Sequence, residues 1–141
     1  TLDAGRLAPS GKNLQHWRFV LLDDSDDVER LADLSTTGGW VEDADFAVVV
    51  LTDPTYGYHQ IDAGRAITHM QFRAWVDGVG SCIYTGYDES DLRAFLGAPD
   101  TLDVTAVVGF GYPADGGAGT KGRAPLGEVA FDGRFGESFE R

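Results

Sequence analysis

Three stretches of the chain carry polar groups whose type and spacing could do chemistry. The first is Ala8-Pro9-Ser10-Gly11-Lys12-Asn13, which ends a helical pattern and leads into an apolar run starting at Trp17. Backbone N–H groups at Ser10 and Gly11, just past a helix end, are available to a ligand. The Asn13 carboxamide both donates and accepts, which suits a polar heterocycle or a polyol. The alternative is a plain connection in which Ser10 and Asn13 bond their own backbone. The second stretch runs from Gly78 to Asp88, where a strand through Tyr84 ends in Thr85-Gly86. Glycine there would let a flat ring lie against the main chain; otherwise this is a strand-to-helix turn. The third, Gly117 to Val129, places Lys121 and Arg123 together in an acidic protein. Arginine offers a fork of donors and lysine a point charge, a pair suited to phosphate. The alternative is a solvated loop.

Other chemistries are absent. Cys82 is the only cysteine, so there is no internal disulfide and no cysteine zinc site. His16, His59 and His69 have no close ligand spacing, and no metal is expected. Gly109-Phe110-Gly111-Tyr112-Pro113-Ala114 has dinucleotide-fingerprint spacing, but Pro113 and the glycines behind it offer no helix to hold a pyrophosphate. Thr120, not glycine, precedes Lys121, which excludes a nucleotide-hydrolase phosphate loop. The nucleophile pattern G-x-S-x-G does not occur.

Net charge is −12 over 141 residues, with a pI near 4.4. That field repels nucleic acid and anionic lipid, so neither is an expected partner. Aspartate dominates the acids and arginine the bases, with Lys12 and Lys121 the only lysines. This composition reads as a solvated acidic, halophilic surface. No apolar run approaches the ~20 residues of a membrane helix. A lone cysteine fits a reducing cytoplasm. The chain starts at Thr1 inside a helical pattern, so the natural N-terminus is expected upstream.

These groups must be positioned by a modest set of elements within one domain. A helix end is expected over Leu2–Ala8, stopped by Pro9, then a strand over His16–Leu22 and a capped helix over Asp26–Leu34. Ser35–Trp40 reads as a loop. Phe46–Leu51 is a continuous apolar run, as in a strand buried on both faces. From Gln60 to Val76, Ala63, Ala66, Ile67, Met70 and Ala74 recur at helical spacing, with Val76 a further candidate. A short strand follows over Ser81–Thr85, then a helix over Glu89–Leu96 between Asp88 and Gly97. Leu102–Phe110 is a third strong strand, and Glu128–Arg141 an extended tail. Strands separated by helices mean a sheet with helices packed on it.

In this order the stretches resemble the flavin-dependent nitroreductases. "APSGKNLQHWRFVLL" is similar to that family's Ala-Pro-Ser-x-x-Asn-x-Gln-Pro-Trp-x-Phe signature, with His16 where proline is usual. "DAGRAITHMQFRAWVDGVGSCIYTG" resembles its central helix and following turn, and "GFGYP" with "KGRAPLGEV" its last core strand and closing basic segment. The resemblance implies an α+β fold: a mixed, mainly antiparallel sheet flanked by helices, in an intertwined homodimer whose C-terminal tails cross over. Flavin mononucleotide (FMN) would lie at the dimer interface. The family's N-terminal Arg-x-Ser-or-His-x-Arg motif, which completes its phosphate pocket, would lie upstream of Thr1.

Residue by residue, the resemblance implies that Pro9, Ser10, Gly11 and Asn13 line the flavin and its ribityl chain, often from the neighbouring subunit. Tyr84, Thr85 and Gly86 would run along the ring, with the Thr85 backbone N–H on flavin N5. Lys121 and Arg123 would hold the phosphate, and Asp62 would touch the ring's polar edge. Trp40, Tyr56 and Tyr58 could shape an acceptor pocket or simply anchor loops. The implied activity passes electrons from NADH or NADPH through FMN to a nitroaromatic, quinone or similar small acceptor. The alternatives are a non-catalytic flavin-storage dimer, or specialised family chemistry such as dehalogenation, peptide oxidation or cofactor biosynthesis.

Overall fold

A computed structural model describes residues 1–114 and 121–139. Four strands form its centre: β1 (Trp17–Leu22), β2 (Phe46–Thr52), β3 (Gly80–Tyr84) and β4 (Asp103–Gly111). Their order is β1-β2-β4-β3, and every pairing is antiparallel. Because β4 is antiparallel to both its neighbours, β2 and β3 run the same way with β4 between them. The long helix α3 (His59–Val76) makes that crossover.

The apolar run in β2 is explained by layers on both faces. Val48 and Val50 pack with Ala106, Val108 and Phe110 beneath Ala63, Ile67, Met70 and Ala74 of α3. Ala47, Val49 and Leu51 face the other way, toward α2 (Ser25–Asp33), the 3₁₀ turn Gly39–Asp43 and α4 (Glu89–Leu96) through Val28, Leu31, Val41 and Leu92. Each of these valines is fully buried, which contributes roughly 1.5–3 kcal/mol per side chain. α1 (Leu2–Arg6) lies on the α3 face, with Gly5 against the Met70 side chain.

Helix ends follow local chemistry. The Asp24 and Asp88 carboxylates accept backbone N–H groups of Asp26 and Asp91, each at 3.0 Å, capping α2 and α4. Gly97 closes α4 in the left-handed region at φ +62°. Three expectations shift. The glycine-rich loop after Leu34 contains a 3₁₀ turn. Val76 is exposed rather than inward. The tail is not simply extended: Pro125 precedes a one-turn helix, α5 (Leu126–Val129), and Phe131 bridges to Ser138. Among the described residues no helix is long and apolar enough to cross a membrane.

Candidate functional site

The site is built from the start of α3. Asp62, Ala66, Met70 and Ala74 form one four-residue series, and all four are buried. Asp62 therefore enters the core face in the helix's first turn, where the helix dipole favours an acidic side chain. It is 2% exposed, and a carboxylate so buried requires partners. Its Oδ2 accepts the Gly11 backbone N–H at 2.8 Å and lies 3.1 Å from His16 Nε2. Its Oδ1 lies 3.7 Å from the half-exposed Arg65 guanidinium. Both close partners of Oδ2 belong to the 9–16 loop.

That loop is strained. Lys12, Asn13 and Gln15 have φ of +52°, +59° and +49°, a region costing non-glycine residues about 1–2 kcal/mol each. Bonds within the loop offset this. Ser10 Oγ accepts the Gln15 N–H at 3.0 Å, and the Ser10 carbonyl accepts the Asn13 N–H at 3.0 Å. The Gln15 side-chain amide donates to the Asn13 carbonyl at 3.2 Å. Ser10 thus bonds its own loop, whereas the exposed Asn13 carboxamide makes no hydrogen bond with a described residue. Gly11 is small for an internal reason as well, since a Cβ there would run into the Tyr58 ring. Tyr56 stacks on His16 with centroids 5.4 Å apart, and Trp40 covers Gly109. All three aromatics therefore anchor loops in this chain.

The turn after β3 lies elsewhere. Tyr84 is buried against Gly38 and Trp40. Burial pushes its phenol above the ordinary tyrosine range, an effect the Ser35 hydroxyl partly offsets. Thr85 is exposed, and none of the loop, turn or cap hydrogen bonds uses its N–H. Lys121 and Arg123 are exposed, and neither joins an ion pair among the described residues. Among the described residues, Arg123 donates only to the Gly122 carbonyl, at 2.9 Å.

One chain does not bring the 9–16 loop and the Thr85 turn together. The 9–16 loop enters β1 at one sheet edge, whereas Thr85 leaves β3 at the opposite edge, with β2 and β4 between. Three strand spacings amount to about 14 Å. Both lie toward the same end of the sheet, because Trp17 pairs with Thr52, Thr52 with Asp103, and β3 runs toward that end of β4. A groove along β1, lined by residues such as Arg6, Gln15 and Trp17, and another beside β3, lined by Trp40 and Cys82 among others, contain none of Pro9, Ser10, Gly11, Asn13, Asp62, Tyr84, Thr85, Gly86, Lys121 and Arg123.

The donor set nevertheless fits a flavin nucleotide in chemistry: an amide N–H at Thr85 outside the loop, turn and cap bonds, and, among the described residues, a free carboxamide at Asn13 and two cations in no ion pair. Sequence reasoning allowed Tyr58 as a loop anchor but missed His16 as the loop's support. The signal available for it was Asp62 itself, an acid on the buried face of a helix.

The Nitroreductase family model matches this chain over residues 1–55 and 37–112. A protein of Archaeoglobus fulgidus, named as a candidate NADH dehydrogenase/NAD(P)H nitroreductase, is 32% identical over 123 residues, covering 81% of this chain and 71% of its own length. The solved structure of an FMN-dependent nitroreductase from Clostridium difficile R20291 superposes with a TM-score of 0.81 at 26% identity, covering 94% of this chain and 84% of that one. The structure of an oxidoreductase containing FMN does so with a TM-score of 0.81 at 29% identity, covering 97% and 80%.

Proposed function

This chain belongs to the nitroreductase family, and from that premise we propose that two copies form an FMN-dependent oxidoreductase. When bound, FMN would supply two-electron redox chemistry between NADH or NADPH and a nitroaromatic, quinone or similar acceptor. The protein binds and orients it. Pro9, Ser10, Gly11 and Asn13 of one copy line the ring and ribityl chain. Tyr84, Thr85 and Gly86 of the other run along the ring, the Thr85 N–H directed at N5. Lys121 and Arg123 hold the phosphate. Asp62 acts one step back, through Gly11, because its carboxylate is occupied.

The observation that carries this reading is the separation of the loop and the Thr85 turn on opposite edges of one sheet. Two such chains can supply what one cannot. A homodimer is further supported by the outer face of α3, where Ile61, Phe72, Trp75 and Val76 are all more than half exposed, an apolar stripe that a monomer would leave in water.

Adding FMN and following NADH or NADPH oxidation with a quinone tests the activity. Turnover supports the enzyme. Yellow protein without turnover supports flavin storage, and neither retention nor turnover rejects both. A cytoplasmic, salt-adapted setting belongs to the same reading, supported by the lone Cys82 and the net charge of −12. The melting temperature should then rise in molar KCl; an equal or lower value would contradict salt adaptation.

A further inference from the structure

We infer that Asp62 and His16 form a buried clamp that sets the shape of the Ser10–Gln15 loop before any ligand arrives. The loop's importance rests on the flavin reading, but the clamp is visible in one chain. Asp62 Oδ2 receives two contacts from the loop's two ends, the Gly11 N–H at 2.8 Å and His16 Nε2 at 3.1 Å. An oxygen that accepts the Gly11 N–H accepts from an Nε2–H too, so the geometry selects the His16 tautomer that carries its proton there. The other ring nitrogen, Nδ1, is buried with no hydrogen-bond partner among the described residues.

Among the described residues, residues 9–15 have one other polar tie to the rest of the domain, the Arg18 guanidinium on the Gln15 carbonyl at 3.4 Å. The remaining loop bonds are internal, so they hold local turns without fixing the loop on the sheet. Tyr56 and Tyr58 pack around His16, with centroids 5.4 and 6.3 Å from it, and exclude water that would compete for the carboxylate. Asp62 and His16 are positioning residues. Through them, the start of α3 sets three left-handed backbone conformations that the loop sequence would not choose alone.

The test compares His16→Gln, whose side-chain N–H stands near the place of Nε2, with His16→Leu and Asp62→Leu. Amide hydrogen exchange at Gly11 is read in flavin-free protein, and FMN affinity by fluorescence quenching. His16→Gln should stay within about twofold of the parent in both, whereas His16→Leu should raise Gly11 exchange and weaken FMN by about tenfold. Exchange at Val107, in the core of β4, should not change. Adding His16→Leu to Asp62→Leu should cost nothing further, because both contacts end on one oxygen. If Asp62→Leu does not fold, the His16 pair still decides. Equal behaviour of His16→Gln and His16→Leu would overturn the clamp, as would parallel changes at Gly11 and Val107. A parent that binds no FMN but shows the predicted exchange pattern would reject the flavin reading and leave the clamp standing.

Discussion

Gly86 is held against Thr37: its carbonyl accepts the Thr37 N–H at 3.3 Å, and a Cβ at position 86 would collide with Thr37 Oγ1. The Thr36 N–H reaches the same carbonyl at 2.8 Å. The glycine that sequence reasoning assigned to a flat ligand is thus already required by the protein's own packing, which fixes the Thr85 turn onto the loop after α2.

Gly86→Ala should therefore destabilise the flavin-free protein by about 1–3 kcal/mol, the usual cost of overpacking. Urea unfolding measures it, and Thr37→Gly in the same chain should recover part of the loss. An alanine variant as stable as the parent would show that the turn can shift away.

Among the described residues, Lys121 and Arg123 join no ion pair, and Arg123 donates to the exposed Gly122 carbonyl. Replacing either with alanine should leave the flavin-free melting temperature unchanged. FMN affinity should fall by the roughly 1.5–3 kcal/mol of a charge-assisted hydrogen bond. Riboflavin, which lacks the phosphate, should bind both variants as it binds the parent. Equal losses for FMN and riboflavin would remove the phosphate role.

The exposed apolar stripe on α3 should be covered by a second copy. Phe72→Asp and Trp75→Asp should shift sedimentation from dimer to monomer with far-ultraviolet circular dichroism intact. A monomeric parent, or variants that remain dimeric, would place the interface elsewhere or remove it.

Tyr87 supplies a pH test. Its hydroxyl donates to the Val104 carbonyl at 2.6 Å. Burial first, then the nearby negative charge of Glu89, pushes its pKa up to about 12 from an ordinary 10.0. The folded state holds this proton more tightly than the unfolded state, so the contribution is complete below pH 10 and is lost as pH rises toward 12. Thermal melts should fall in that window, and less steeply for Tyr87→Phe. The variant should also lose about 1 kcal/mol at neutral pH from the unpaired carbonyl. Identical slopes for parent and variant would assign the alkaline loss to other groups.

Much of the fold was legible because it rests on local signals. The apolar run of β2 told of burial on both faces, and Asp88 and Gly97 marked the ends of α4. The 9–16 loop was legible as a site but not as a shape. Lys12, Asn13 and Gln15 sit in the left-handed region beside a Gly11 held by Asp62 and Tyr58, which lie dozens of residues away, and no local preference announces that. Gly86 is the same case, since its neighbour Thr37 comes from the far side of β2. Asp62 was singled out for direct ring contact, yet its place in the series with Ala66 and Met70 already implied an inward carboxylate in need of a partner. The tail gave the least, because its one-turn helix carries no buried residue and so no apolar pattern announced it.

The composite site is tested most directly by mixing subunits. Asn13→Ala breaks the loop side and Arg123→Ala the cation side, and each homodimer should bind FMN weakly. If loop and cations of one site come from different chains, mixed dimers hold one intact site each. Random exchange then restores about a quarter of the tight sites. Titration of the mixture with FMN should reveal that tight fraction. A mixture that binds no better than its two components would place both groups in one chain's site and contradict the account.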